Sequence, residues 1–189
     1  DATQNYDQPL TKGRLFNWHA ALFPTGRSGM YKITVADWRK GENSPMQVVS
    51  GPMGKEKVHY QAPSAELVDS EMTRFIEWFN NDNDIEPVIK SGLAHLWFVT
   101  IHPFDDGNGR IGRAIADMQL ARADKTNQRF YSMSAQIERQ KKVYYDILEK
   151  TQKGSLDVTN WLGWFLECLI GALHATDETL AKVLTKEIG

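Results

Sequence analysis

Apolar positions recur along this 189-residue chain at two different spacings, and the change between them divides it into elements. Over 11–23, Leu15, Trp18, His19 and Leu22 fall three and four residues apart, as on one face of a helix. The run stops before Pro24-Thr-Gly-Arg-Ser-Gly29, residue types that favour turns. Residues 46–50 and 57–61 read as short strands flanking Gly51-Pro-Met-Gly-Lys-Glu56, which predicts a β-hairpin. Pro63-Ser64 opens a helix to about residue 80, with Ser64 as N-cap and Leu67, Met72, Phe75, Ile76 and Phe79 as its apolar stripe. A polar loop at 80–84 leads to 86–101, a helix apolar on most sides and therefore buried. It must stop near His102, because a residue before proline is pushed out of the helical region. Further helices are predicted over 109–123 and 134–150, the latter with Ile137, Val143 or Tyr144, Ile147 and Leu148 apolar. The last, over 158–184, is expected to break near Gly171. The pattern is that of a mainly α domain with one small β-hairpin, spanning 11–189 after an N-terminal extension of residues 1–10.

Composition narrows the classes. Hydrophobic residues make up 41%, including six Trp and eight Phe, enough for a packed core without disulfides or structural metal. Cys168 is the only cysteine and lies in an apolar run, so it reads as a small core residue in a reducing compartment. Twenty-two basic against 24 acidic residues leave a net charge of −2, with no basic field pointing at nucleic acid. The N-terminus lacks a signal-peptide pattern and no apolar run reaches about 18 residues. A cytoplasmic protein without membrane or nucleic-acid partners is expected. The chain opens on Asp1 rather than Met, as a piece trimmed from something longer would.

The chemistry concentrates in 102–113, His-Pro-Phe-Asp-Asp-Gly-Asn-Gly-Arg-Ile-Gly-Arg. A buried helix ends on His102, Gly107-Asn108-Gly109 turns tightly, and a new helix starts with Arg110 and Arg113 in its first turn. A helix N-terminus offers unpaired N–H groups and a partial positive charge. Glycines let an anion approach the backbone, and arginines three apart reach successive phosphates. A carboxylate among these groups makes sense if it holds Mg²⁺ against phosphate. His102, with an ordinary pKa near 6.5, suits a general base. The bland alternative is an ordinary Asp-Gly-Asn-Gly loop followed by solvated arginines. The segment lacks the alternating ligands of an EF-hand, and Gly51-Pro-Met-Gly-Lys-Glu56 fails the spacing of a phosphate-binding P-loop.

These twelve residues resemble the signature of Fic domains, His-x-Phe-x-Asp/Glu-Gly-Asn-Gly-Arg-x-x-Arg, at every specified position. The similarity extends over roughly 11–185, and is greatest to bacterial Fic proteins carrying an extra N-terminal helical domain. It implies a Fic-type helical bundle whose hairpin, about 46–61, is the flap. It also implies transfer of AMP from ATP to a Ser, Thr or Tyr hydroxyl of a protein, with release of pyrophosphate. On that basis His102 takes the hydroxyl proton and Asp106 holds Mg²⁺. Gly107, Asn108 and Gly109 form the anion hole, Arg110 and Arg113 hold the β- and γ-phosphates, and Phe104 anchors the loop. Asp105 falls at a variable position and carries no role. His59 and Tyr60 are candidates to line the target-binding flap, His59 being otherwise an exposed strand residue. Tyr144 and Tyr145 either border the base or pack in the core. His19, His95 and His174 read as structural.

The intact Gly109-Arg110 pair sets the chain apart from the phosphotransferase branch of the family and favours nucleotidyl transfer. The inhibitory pattern of many relatives, Ser/Thr-x-x-x-Glu-Gly/Asn, is not recognisable: Ser134-Ala-Gln-Ile-Glu138 is followed by Arg139. That helix is expected upstream, which would leave 1–189 active or overactive. A Fic-fold transferase using another nucleotide such as UTP, and a nucleotide-binding regulatory module, are the competing readings. Homodimers are common in the family, which leaves that state open.

Overall fold

The computed structural model of the protein describes residues 1–41, 45–50, 55–81, 84–128 and 130–187. The predicted hairpin tip at 51–54 and residues 82 and 83 of the polar loop lie outside the described residues. In chain order come α1 (Lys12–Leu22), β1 (Arg27–Ser28), β2 (Tyr31–Lys32), β3 (Gln47–Ser50), β4 (Lys57–Gln61), α2 (Ala65–Asn80), α3 (Pro87–Ile101), α4 (Asn108–Asp124), α5 (Met133–Arg139), α6 (Lys141–Lys153) and α7 (Thr159–Glu187). The fold is mainly α, as its periodicity predicts. Among the described residues no helix is long and apolar enough to cross a membrane.

Helix α3 is the axis of the molecule. It packs against α2, α4 and α7, and Ala94, His95, Phe98, Val99 and Ile101 are all buried. Its start is fixed by Glu86, whose carboxylate accepts from the Ile89 N–H, with Pro87 in the first turn. Gly92 lets α7 approach: an added Cβ would lie 3.0 Å from the Phe165 ring. The 1–10 segment folds back on this body. Leu10 is fully buried, and Asn80 both accepts from its N–H (2.8 Å) and donates to its carbonyl (2.7 Å).

Strands β3 and β4 pair antiparallel, Gln47 opposite Gln61 and Val48 opposite Tyr60, with a register shift between Val48 and Val49. This is the predicted hairpin. A second ladder, β1–β2, is only two residues long; β1 falls within the predicted turn 24–29 and β2 just after it.

Four expectations change. The apolar stripe of α2 runs through Val68 rather than Leu67, which is exposed, and Ser64 caps by position without a side-chain hydrogen bond. The predicted 134–150 helix is two helices meeting at Gln140, because α5 packs on α4 and α7 while α6 serves α7 and β4, and one straight rod cannot follow both directions. Tyr144 is the buried residue of α6 and Val143 is exposed. Helix α7 runs through Gly171 unbroken; that glycine instead makes room for Gln136, whose Nε2 would lie 2.5 Å from an added Cβ.

Candidate active site

The loop between α3 and α4 is built by its own backbone and by residues far upstream. The last residue of α3 hands the chain to His102, which adopts the left-handed conformation (φ 52°, ψ 59°) while its N–H still donates to Phe98 O. This is how the chain satisfies the restriction before Pro103. Phe104 then turns inward and is fully buried, its ring stacked on His19 at 4.1 Å and tilted against Trp38 at 5.1 Å. Asn108 staples the loop: its Oδ1 accepts from the Phe104 N–H (2.9 Å) and its Nδ2 donates to Phe104 O (2.8 Å). The Asn108 side chain is thus committed to the loop, leaving its backbone to face the cavity. Gly107 sits at φ 84°, and a Cβ there would lie 2.9 Å from the Phe23 ring.

Helix α4 begins at Asn108 with no side-chain cap. Its first intrahelical hydrogen bond closes from Ile111 N to Gly107 O, so the N–H groups of Asn108, Gly109 and Arg110 have no partner within the helix. Such a terminus binds anions.

His102 is oriented by one hydrogen bond. Its Nδ1 lies 3.2 Å from Val99 O; a carbonyl only accepts, so Nδ1 carries the proton and Nε2 keeps its lone pair. Burial pushes its pKa down to about 4, with the nearby Arg39 cation adding to the effect and the Val99 hydrogen bond and Asp106 opposing it. The imidazole is therefore neutral at pH 7 and presents a basic nitrogen.

Asp106 accepts from the Ser28 hydroxyl of β1 and from the Gly107 N–H (2.5 Å). Asp105 accepts from the Thr34 N–H at 2.8 Å. His19 accepts at Nδ1 from the Ala36 N–H (3.3 Å), which leaves Nε2–H to donate to Asp106 O (3.1 Å). Arg39 donates from Nε to His102 O at 2.7 Å. Sequence periodicity pointed to His19 as structural. Its ring is indeed buried, and what it supports is this loop.

A cavity of about 280 Å³ opens in front of the loop. One wall is His102, residues 105–109 and Arg113; the second is residues 46–49 and His59 of the flap hairpin; the third is Tyr144, Tyr145, Leu148, Glu149 and Gln152 of α6. Arg113 is half-buried on this wall and has no hydrogen-bond or ion-pair partner among the described residues. Two candidates are not brought here. The Arg110 guanidinium lies over the Phe23 ring, 4.7 Å from its centroid, and Tyr60 donates its hydroxyl to Thr100 O (3.1 Å) on α3. Cation–π contact with an aromatic already fixed by packing holds Arg110 away.

His59 is buried, not exposed: its Nδ1 lies 2.6 Å from Glu149 Oε2, and its ring stacks on Tyr145 at 5.8 Å. Glu149 also meets Lys153 (2.9 Å) and Lys57 (3.1 Å). Hydrogen bonds from Lys153, His59 and Lys57, in that order, hold its carboxyl down to about 2. This cluster ties β4 to α6 across the cavity. Tyr144 both lines the cavity and is core: it is buried, and its hydroxyl is 2.9 Å from His95 Nε2. Its hydroxyl pKa is raised by burial, and that of His95 is pushed down to about 3 by burial, with Arg113 adding to the effect. Ser28, Arg39, Thr34, Glu149 and Gln152 carried no sequence signal, because each acts through a partner distant in the chain.

A model of the Fic/DOC family matches residues 9–120. Over 123 residues the chain is 28% identical to a probable protein adenylyltransferase of Aquifex aeolicus, covering 65% of this chain and 36% of that protein. Over 99 residues it is 33% identical to the protein adenylyltransferase Fic of Drosophila grimshawi, covering 51% of this chain and 19% of that one. A Fic family protein from Desulfovibrio desulfuricans superposes with a TM-score of 0.73 at 24% identity, over 94% of this chain and 51% of the other. Fic-1 from C. elegans gives a TM-score of 0.65 at 16% identity, over 94% and 45%. The chain therefore spans only about a third of the Aquifex relative's length and a fifth of the Drosophila one's. With a family match over more than half of its residues and the same fold in the solved relatives, the chain belongs to the Fic/DOC family.

Proposed function

We propose that this chain transfers AMP from ATP to a hydroxyl of a protein substrate. The observation that carries the reading is the pairing of a neutral, Nε2-basic His102 with an uncapped helix N-terminus and the unpaired cation of Arg113 on one cavity. The two relatives named as protein adenylyltransferases support it.

In this reading the triphosphate lies along the start of α4. The Asn108 and Gly109 N–H groups and the Gly107 turn stabilise the charge that develops on the reacting phosphate. Arg113 holds the terminal phosphates; Arg110 would join it only by leaving Phe23. His102 Nε2 takes the proton of a Ser, Thr or Tyr hydroxyl as that oxygen forms its bond to the α-phosphorus. The bond from the α-phosphorus to the bridging oxygen breaks, and pyrophosphate leaves with the electron pair. The flap presents the target segment by main-chain pairing. His59 secures the flap, and Tyr145 and Leu148 border the base.

Asp106 is one carboxylate on the wall, and no cluster of three or more His, Cys, Asp or Glu among the described residues could hold a metal. That donor set fits Mg²⁺ carried in by the triphosphate, with Asp106 as its protein ligand, rather than an all-protein cage. When bound, the ion would neutralise phosphate charge.

The test is incubation of the chain with α- or γ-labelled ATP, Mg²⁺ and a cell lysate, beside His102→Ala. Transfer of the α-label only, lost in the variant, is expected. Transfer of the γ-label overturns the reading. Labelling from UTP alone would assign another nucleotide, and ATP binding without transfer would make the chain a regulatory module.

A further inference from the structure

We propose that Arg39 is a positioning residue for His102, bracing the left-handed end of α3 from which the imidazole enters the cavity. The inference rests on His102 being the base of the transfer reaction.

The last carbonyls of a helix have no partner within it. At the end of α3 His102 also takes the left-handed conformation, which a residue with a Cβ disfavours. Something must hold both. Arg39 donates from Nε to His102 O (2.7 Å) and from Nη2 to Ile101 O (3.4 Å), and its own backbone N–H donates to Pro103 O (2.8 Å). The three carbonyls that follow one another through the turn, 101, 102 and 103, thus all converge on one residue. The same Nη2 donates to Pro63 O (2.5 Å), which ties the arginine to the segment entering α2 and fixes it in turn. Arg39 is 5% exposed, so water cannot replace it.

The placement is specific. A planar fork can serve carbonyls lying in different directions, whereas an ammonium cannot hold that geometry. The positive charge also sits at a helix C-terminus, where the dipole favours it. Arg39 does not line the cavity that holds His102; it lines a neighbouring one, and Met46, Gln47 and Asp105 border both. Its hydrogen bonds reach the chemistry through the His102 backbone, and its charge adds to burial in lowering the His102 pKa. With the His102 carbonyl held by Arg39 and Nδ1–H held by Val99 O, the ring has one orientation and one tautomer. In water an unconstrained neutral imidazole prefers the proton on Nε2, which is the wrong form for a base reacting at Nε2. The brace therefore selects the reactive form as well as the place.

The experiment uses the full 189-residue chain with Arg39→Lys and Arg39→Met. Each is followed by thermal unfolding, by kcat and KM for ATP in label transfer, and by nitrogen-15 spectra of the histidines, His102 being assigned through His102→Ala. Expected is a KM within about threefold of wild type, with kcat reduced about 100-fold in Arg39→Met and about 10-fold in Arg39→Lys, the size of a displacement on the order of 1 Å. The spectra should change from a mostly Nδ1-protonated His102 to a mixture. Full kcat in either folded variant, a loss confined to KM, or an unchanged tautomer overturns the proposal. A loss of activity no greater than the loss of folded protein does so too. If Arg39→Met does not fold, Arg39→Lys decides. If wild-type protein transfers no label, the adenylyltransferase reading falls, and the tautomer comparison still tests the brace.

Discussion

Gly107→Ala isolates the turn on which the uncapped N-terminal end of α4 depends. Gly107 sits at φ 84°, and its missing side chain leaves the Phe23 ring 2.9 Å from where a Cβ would be. Two separable costs follow. Placing an L-residue in the left-handed region costs roughly 1–2 kcal/mol. Forcing back a buried ring costs about 1–3 kcal/mol. The ring cannot move freely, because His19 lies 5.0 Å and the Arg110 guanidinium 4.7 Å from it. The sum, about 2–5 kcal/mol, corresponds to a fall in Tm of roughly 4–20 °C for a domain of this length. Thermal unfolding measured in the wild-type and Phe23→Leu backgrounds divides the two. In the Phe23→Leu background the steric part should shrink, leaving a loss near 1–2 kcal/mol from the backbone alone. An equal loss in both backgrounds would show that the ring contact does not limit the site. A Tm within 1 °C of wild type would refute the conformational argument altogether.

Arg113→Ala should raise KM for ATP while shifting Tm by less than about 2 °C, since the guanidinium has no protein partner to lose; a large Tm loss with unchanged KM would make it structural. Stability should fall as pH drops from about 6.5 toward 4. Burial lowers the pKa values of His19, His102 (to about 4) and His95 (to about 3), so the unfolded chain binds more protons in that window. Urea midpoints that stay flat between pH 7 and pH 5 would contradict this. The lowered carboxylates Asp69 and Glu149 act in the same direction over a more acid window: their contribution is present above the ordinary carboxylate range and is lost as pH falls through it. Glu149→Ala should speed hydrogen exchange at 58–61 in β4 with little change in global stability, because partly exposed ion pairs contribute little; unchanged exchange would mean the flap does not depend on this link.

The sequence exposes the candidate loop because its chemistry is local: histidine, glycines and arginines all fall within twelve residues. Helix α3 is equally legible, since a segment apolar on nearly every side has no alternative to burial. What escapes a linear reading is held together over distance. Gln140 divides α5 from α6 only because the two helices meet different partners. His59 follows a strand's alternation and gives no sign that Glu149, ninety residues later, will cover it. Arg110 and Arg113 share a helical face in sequence, yet Phe23 takes one of them. Ser28 and Arg39 lie in segments without periodicity, where no pattern singles out a residue.

The three walls of the cavity have separate origins along the chain. The loop and flap walls lie within the residues that the family model matches, 9–120, whereas the α6 wall, 144–152, lies beyond them. On the proposed reading, reaction and selection are thus written in different stretches of the polypeptide. On that same reading, substituting Tyr145 or Leu148 changes which base is admitted without disturbing the turn at Gly107, so nucleotide preference is open to engineering through α6.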